Sequence, residues 1–299
     1  MPGFLAAAPP LRELISIPGF ADPFSSLSHL LGAVFFAWLT VPTVRRAVRA
    51  GRSGGAVASL IIFGASAVFL LSMSGVYHLL APAMATGVGS RIGMASPQEP
   101  VGGAARAVLQ RLDHAAIFVL IAGTFTPVHT LLFRGVLRWG MLAFIWTLAV
   151  LGVVLKSIFF QGTPAALGLW LYVGMGWFGI VAMVAVARRL GFRSVVPLVA
   201  GGLVYTAGAL VEVIEPPALI RGVVRAHEVF HVAVLAGLGL HWRFIWNAVT
   251  MPKPARRAPT LGRTVTEVEP KPAGAVQGDV EACRMVDDGD SQGSVTAMM

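Results

Sequence analysis

Long apolar stretches alternate with short polar segments along most of the chain, and this pattern predicts membrane-spanning helices. A helix needs about 20 mostly apolar residues to cross the hydrocarbon core of a bilayer. Seven stretches meet this requirement: residues 25–44, 56–80, 108–132, 139–158, 167–187, 195–214 and 226–249. We therefore predict an all-α, polytopic membrane protein whose seven-helix bundle occupies residues 25–250.

The two ends of the chain are expected to lie outside this bundle. Residues 1–24 form a short N-terminal segment, and its start, MPGFLAAAPP, lacks the charged and long apolar regions of a signal peptide. We therefore expect no cleaved leader. From residue 251 to 299 the composition turns to Pro, Gly, Ser and charged residues, which predicts a disordered polar tail.

Composition agrees with a membrane protein and limits the classes of function. Hydrophobic residues make up 56% of the chain and charged residues only 12%, whereas soluble domains carry about 25% charged residues. The net charge of +9 comes from arginines at the ends of apolar stretches, where they are topology signals rather than nucleic-acid contacts. The single cysteine, Cys283, excludes disulfides and cysteine-based metal sites.

The distribution of Lys and Arg predicts the orientation. Seven fall on the side opposite the C-terminal tail: Arg12, Arg91, Arg106, Arg111, Lys156, Arg221 and Arg225. Twelve fall on the side of the tail: Arg45, Arg46, Arg49, Arg52, Arg134, Arg138, Arg188, Arg189, Arg193, Lys253, Arg256 and Arg257. By the positive-inside rule we expect a cytoplasmic C-terminus in the plasma (inner) membrane.

Several polar residues lie inside the predicted spans. An ionisable side chain within a bilayer costs at least ~2.5–3.5 kcal/mol by insertion scales, so such residues are functional candidates. The spans that begin or end on one side of an up-and-down bundle carry these candidates: His29, Ser74, His78, Asp113, His227 and His231.

These candidates have the chemistry of a metal site. His227 and His231 are four residues apart, so one helix face presents both imidazoles. Three histidines with an open fourth position are typical of catalytic zinc, with a nearby carboxylate acting on the bound water. The sequence therefore predicts a zinc site near one membrane face.

Structural interpretations remain open for several of these side chains. Ser74 can hydrogen-bond a carbonyl of its own helix, as membrane serines do, and Asp113 can form an interfacial ion pair with Arg111. Glu212 and Glu215 either contact a substrate or are solvated helix ends. Among the remaining histidines we expect an interfacial position for His129 and a packing role for His241.

The segment HEVFH, residues 227–231, also matches the H-E-x-x-H motif of zinc proteases. An intramembrane protease with this motif takes its third ligand from a later helix. Here the motif lies in the last predicted span, with no suitable residue after it. We therefore interpret it as His-x3-His, and the motif by itself assigns Glu228 no role.

The chain resembles the hemolysin III family, the bacterial branch of the progestin and adiponectin receptor (PAQR) superfamily within the CREST group of membrane hydrolases. The resemblance covers about residues 20–250, in the family's order, and rests on FSSLSHLLGA, SMSGVYHLL, RLDHAAIFVLIAGTFTPV, LYVGMGWFGIVAM, AGGLVYTAGAL and HEVFHVAVLAGLGLHW.

This resemblance implies seven helices around a Zn²⁺ ion held by His78, His227 and His231. It also implies that Asp113 contacts the water on the metal, with Ser74 as its partner serine. One departure concerns the first motif, where Ser25 replaces the family's usual asparagine and His29 has no assigned role. A second is that adiponectin receptors place the zinc on the cytoplasmic side, whereas the charge distribution here predicts the outer side.

Two functional interpretations follow from the resemblance. The first is a zinc-dependent hydrolase of a lipid-like amide or ester, such as a ceramide-like molecule. The second is a non-enzymatic receptor-like or pore-forming protein with a structural zinc. No predicted span carries a regular polar stripe, so the sequence itself does not indicate a pore. The expected partners are the bilayer and a lipid-like small molecule, without nucleic acid.

Overall fold

A computed structural model describes residues 23–85, 103–159, 165–217, 219 and 224–252 of the chain. The chain divides into two units, residues 1–255 and 256–299, and the described residues all belong to the first. The predicted disordered tail lies outside the described residues, except for its first two positions. Most of the predicted N-terminal segment, residues 1–24, lies outside them as well.

The described residues are almost entirely helical, as predicted. Their α-helices, in chain order, are α1 (Pro23–Arg49), α2 (Gly54–Ala85), α3 (Gly103–Leu132), α4 (Val136–Ile158), α5 (Ala165–Trp177), α6 (Gly179–Leu190), α7 (Val196–Ile214) and α8 (Ala226–Ala248). A short 3₁₀ turn, Phe192–Ser194, connects α6 to α7.

Within the described part of the chain, seven helical spans are long and apolar enough to cross a membrane. The predicted span 167–187 is the least regular, because the structure divides it into α5 and α6 at Phe178. Gly174, Gly176 and Gly179 surround this break, and glycine is a poor helix former. The first span, α1, ends five residues beyond its predicted limit, since the helix continues through the arginines that follow the apolar stretch.

The core of the bundle forms around α3, the most buried of the spans, which contacts α2, α4 and α8. An aromatic cluster fills the half of the bundle opposite the candidate site. The Trp242 ring lies 4.6 Å from Phe63 and 5.2 Å from Phe36, measured between ring centroids. This cluster joins α1, α2 and α8 and fixes how the three helices are aligned along their length.

The connections place the candidate residues at one end of the bundle. Short turns join α1 to α2 and α3 to α4, so neighbouring helices run antiparallel. Helix α1 also contacts α8, which closes the bundle. The starts of α1, α3 and α8 therefore meet the ends of α2 and α7.

Candidate metal centre

Three histidines from two helices converge at this end of the bundle. The Nε2 atom of His227 lies 3.2 Å from Nε2 of His78 and 2.9 Å from Nε2 of His231. His78 and His231 are buried, and His227 is partly exposed. The potential ligand atoms of the three residues all lie within 4.8 Å of one another, and the group can hold a metal ion.

The donor set fits a metal ion better than it fits hydrogen bonding alone. A neutral imidazole carries one hydrogen on its two nitrogens, so two facing Nε2 atoms can share at most one hydrogen. In tetrahedral coordination with Zn–N bonds of about 2.0–2.1 Å, two ligand nitrogens are about 3.3 Å apart. The observed separations of 2.9 and 3.2 Å are close to that value. A cation between the three rings would satisfy all three Nε2 lone pairs.

The outer nitrogens of the α8 pair have different partners. Nδ1 of His227 lies 3.1 Å from Oε1 of Glu212, near the end of α7. Nδ1 of His231 lies 2.9 Å from Nε2 of His29 on α1, with ring centroids 4.1 Å apart. The sequence predicted that His29 and Glu212 lie at the same end of the bundle as the cluster, but it did not predict which histidine each contacts. Their positions near helix ends were the sequence feature that indicated they lie near the cluster.

Asp113 and Ser74 lie beside the histidine cluster. The Ser74 hydroxyl donates a hydrogen bond to the Asp113 carboxylate, and the imidazoles of His78 and His227 are close enough to interact electrostatically with it. Ser74 is buried. Of the two open interpretations of Ser74, the structure favours contact with Asp113. The guanidinium of Arg111 donates instead to the carbonyl of Ser157 at the end of α4, 3.3 Å away.

Glu228 stabilises the start of α8 rather than facing the cluster. Its Oε2 atom accepts a hydrogen bond of 2.8 Å from the backbone N–H of Arg225, and it lies 3.7 Å from the Arg225 guanidinium. The residue is 2% exposed. A carboxylate three residues into a helix, bound to the backbone N–H before the helix, is half of a capping box. This contact agrees with the interpretation of HEVFH as His-x3-His.

Two further histidines have structural contacts away from the cluster. At the far end of α3, Nδ1 of His129 donates to the carbonyl of Leu137, 2.7 Å away, and the ring stacks between two phenylalanines. His129 is 1% exposed, so its ring lies inside the bundle, and its expected position near the membrane interface stays a prediction. His241 donates from Nε2 to the carbonyl of Leu198, 3.2 Å away, which is a packing contact between α8 and α7.

A cavity of about 1310 Å³ opens onto the cluster. Its polar end contains the three histidines, together with Asp113, Glu212 and Lys156. Further along, its wall is apolar and is formed by residues such as Leu120, Phe125, Val128, Met183, Leu198 and Val199. Glu212 and Leu198 lie near opposite ends of α7 and both line the cavity, so its length is about 21 Å at 1.5 Å per residue.

Lys156 was missed as a site residue because the sequence analysis counted it only as an orientation signal. Its side chain is 3% exposed and lines the polar end of the cavity. It packs against Gly168 on α5, where a Cβ atom would lie 2.5 Å from the lysine Nζ. A lysine inside a predicted span was the signal that could have identified it.

A family model and two curated proteins relate this chain to the same group, the hemolysin III proteins. A family model described as "Haemolysin-III related" matches residues 20–88 and 101–242. Hemolysin-3 from Bacillus cereus is 39% identical over 126 residues, which are 42% of this chain and 54% of that protein. A hemolysin-3 homolog from Bacillus subtilis (strain 168) is 33% identical over 130 residues, 44% of this chain and 58% of that protein. The aligned part thus spans somewhat more than half the length of these curated relatives.

Proposed function

The chain belongs to the haemolysin-III related family, and from this membership and its buried histidines we propose that it is a zinc-dependent membrane hydrolase. The substrate class is a lipid-like amide or ester, as in the ceramidase-like members of the PAQR and CREST groups that the sequence resembles. One observation carries the proposal: three histidine nitrogens converge beside a serine-bound aspartate at the polar end of a long apolar cavity.

The donor set favours zinc over harder metals. Imidazole nitrogens suit zinc and other transition metals, whereas magnesium and calcium prefer oxygen ligands. Three histidines that leave a fourth position open are typical of catalytic rather than structural zinc sites. When bound, zinc would supply a Lewis acid that polarises the scissile carbonyl and makes water more acidic.

The Asp113 carboxylate would serve as the proton acceptor and donor of the reaction. The hydrogen bond from Ser74 fixes the orientation of this carboxylate and leaves its other lone pairs available. Asp113 would take a proton from the attacking water and deliver it to the leaving nitrogen or oxygen. General acid–base catalysis by one positioned group typically contributes about 10²–10⁴-fold in rate.

The cavity would bind the hydrocarbon part of the substrate. Its apolar wall follows most of the length of α7, so an extended chain entering beside the histidines would lie along the bundle. Each methylene group removed from water contributes about 0.8 kcal/mol. The cavity therefore supports a lipid-like substrate whose polar bond lies at the metal end.

An amidase assay with purified protein in detergent tests this proposal, with a fluorogenic lipid amide as the probe. We expect Asp113→Asn to lower turnover at least about 100-fold while zinc content stays at the wild-type level. Glu215→Gln is the matched control, because Glu215 also lines the cavity but is given no role in proton transfer. Unchanged turnover in Asp113→Asn would exclude the proposed role of Asp113.

The alternative of a receptor-like or pore-forming protein with a structural zinc is tested in the same preparation. The name hemolysin-3 of the two relatives motivates a leakage assay on liposomes. If leakage occurs and persists in His78→Ala after zinc removal, while no amide is hydrolysed by the wild type, the hydrolase proposal is wrong and the pore interpretation is favoured.

A further inference from the structure

The Nδ1 atoms of the two α8 histidines, His227 and His231, contact different side chains. Glu212 accepts from Nδ1 of His227 at 3.1 Å, and His29 faces Nδ1 of His231 with its Nε2 atom at 2.9 Å. Both contacts use the nitrogen that points away from the Nε2 cluster. The two rings are therefore fixed on the side opposite the candidate metal.

This arrangement determines which nitrogen is free to bind a metal. A neutral imidazole has one N–H and one lone pair on its two nitrogens. When Nδ1–H donates to Glu212 or to His29, the lone pair is on Nε2. The Nε2 atoms of His227 and His231 face each other at 2.9 Å, and that of His227 faces His78 at 3.2 Å.

We propose that Glu212 and His29 are positioning residues that fix the Nδ1–H tautomers of His227 and His231 and thereby direct both Nε2 lone pairs to one metal ion. The proposal rests on the metal binding put forward above. It assigns roles to two residues that the family motifs leave without one. Hydrogen bonds of this kind raise the affinity of histidine ligands for metal, typically by 10–100-fold.

The packing of α7 on α8 brings Glu212 to His227. Gly208 lies one helical turn before Glu212, and a Cβ atom there would overlap the side chain of Ala233. Gly201 similarly accommodates the His241 ring, which a Cβ atom would overlap. Small residues at such positions let two membrane helices approach closely. The close approach of α7 to α8 that these glycines allow brings the Glu212 carboxylate within hydrogen-bond distance of the His227 imidazole.

Close packing of α1 on α8 at a glycine likewise places His29 beside His231. Gly32 follows His29 by three residues, and a Cβ atom at Gly32 would lie 2.7 Å from Cδ2 of Leu235. Leu235 follows His231 by four residues, so the two pairs are neighbours on one interface. His29 is 2% exposed. A larger residue at Gly32 would therefore have to displace the end of the Leu235 side chain.

Because Glu212 is charged, the two positioning residues should differ in how much they contribute to metal binding. A divalent cation in a poorly solvated site needs negative charge nearby, because an uncompensated buried charge is costly. Glu212 supplies a carboxylate behind one ligand. His29 can accept behind the other only in its Nδ1–H tautomer, and this Nδ1 atom is buried without a hydrogen-bond partner among the described residues. We therefore expect loss of Glu212 to weaken metal binding more than loss of His29.

Zinc affinity of the purified full-length protein, measured by competition with a chelating indicator, tests the assignment without relying on activity. We expect Glu212→Met to bind zinc 10–100-fold more weakly than wild type. Glu212→Gln keeps an acceptor but loses the charge, so its zinc affinity should lie between that of wild type and that of Glu212→Met. Glu215→Met is the matched control, since Glu215 is a carboxylate of the same cavity wall that is given no role behind His227, and its affinity should equal that of wild type.

A second pair of variants tests His29 independently. His29→Leu removes the acceptor and should weaken zinc binding several-fold, whereas His29→Gln keeps an amide oxygen and should restore part of the loss. Thermal unfolding of the metal-free proteins shows whether a variant is merely destabilised, because a positioning role leaves that midpoint unchanged.

The outcomes separate this assignment from the proposed function. If Glu212→Met and His29→Leu bind zinc as tightly as Glu215→Met, the positioning roles are wrong and the zinc site itself stands. If the wild type binds no zinc, the metal-dependent function and the positioning roles are both wrong.

Discussion

The two ends of the bundle use the same polar residue types in opposite ways. At the site end, the nitrogens of His78, His227 and His231 face one another across about 3 Å and open onto a cavity. At the far end, the side chains of Arg52, His129 and Arg189 donate to backbone carbonyls, and the His129 ring packs against two phenylalanines.

Arg52 is the clearest example at the far end. In the turn between α1 and α2, its guanidinium donates to the carbonyls of Ala248, Val249 and Met251, at 3.1, 2.6 and 2.6 Å. The last carbonyls of a helix lack partners within it and carry partial negative charge. Arg52 therefore caps α8 and connects its C-terminal end to the turn between α1 and α2.

The difference teaches how to distinguish a structural polar residue in a membrane bundle from a ligand. A side-chain N–H that donates to a carbonyl is satisfied by the fold, as Nδ1 of His129 is with Leu137; Nε2 of the same ring is buried without a hydrogen-bond partner in the part of the chain that the structure describes. Imidazole nitrogens that face one another can share at most one hydrogen for each facing pair, and such a group can hold a metal ion. The predictions below test this distinction, in order of decreasing effect.

Removing a ligand from the cluster should have the largest effect. His78→Ala should weaken zinc binding by about 100-fold or more, because one of three protein ligands supplies a large share of the roughly 10–16 kcal/mol typical of zinc sites. Zinc content after dialysis against a chelator measures this loss. His129→Asn, which changes a histidine whose Nδ1–H donates to a carbonyl away from the cluster, should keep the wild-type zinc content. Equal loss of zinc in both variants would contradict the distinction.

Removing the cap at the far end should affect stability but not metal binding. Arg52→Gln should lower the free energy of unfolding by about 2–3 kcal/mol, since a bond from a charged donor contributes about 1.5–3 kcal/mol and the guanidinium is partly solvated. Thermal unfolding in detergent measures the change. The exposed Arg49 provides the control Arg49→Gln, which should lose less than about 0.5 kcal/mol. A loss of zinc from Arg52→Gln would show that the two ends are coupled.

A single neutral hydrogen bond at the far end should give the smallest effect. The Trp242 indole N–H donates to Oγ1 of Thr43 at 3.0 Å, so Thr43→Val should cost about 1–2 kcal/mol by leaving that N–H buried without an acceptor. Thr40→Val is the matched control, because the hydroxyl of Thr40 also donates to a carbonyl of its own helix. Equal unfolding midpoints in the two variants would show that the indole bond contributes nothing measurable.

Much of the fold was predictable from the sequence. The seven spans followed from runs of apolar residues because a bilayer requires each helix to satisfy its own backbone hydrogen bonds over a known length. The break at Phe178 was not predicted, since the glycines around it do not interrupt the apolar pattern. Alternation of the helices predicted that His29, His78, Asp113 and the α8 pair share one end of the bundle, whereas the choice of His78, His227 and His231 as ligands came from the family resemblance. The roles of Asp113 and Ser74 remain predictions.

The sequence by itself determined the seven long apolar helices of the described residues and which helix ends carry histidines and carboxylates, because both depend on local composition and spacing. Only the tertiary structure decided that Glu212 lies behind His227, that His29 lies behind His231, and that Glu228 caps α8. These contacts depend on how closely α1 and α7 approach α8, which glycines on separate helices set through distances that a linear pattern does not contain.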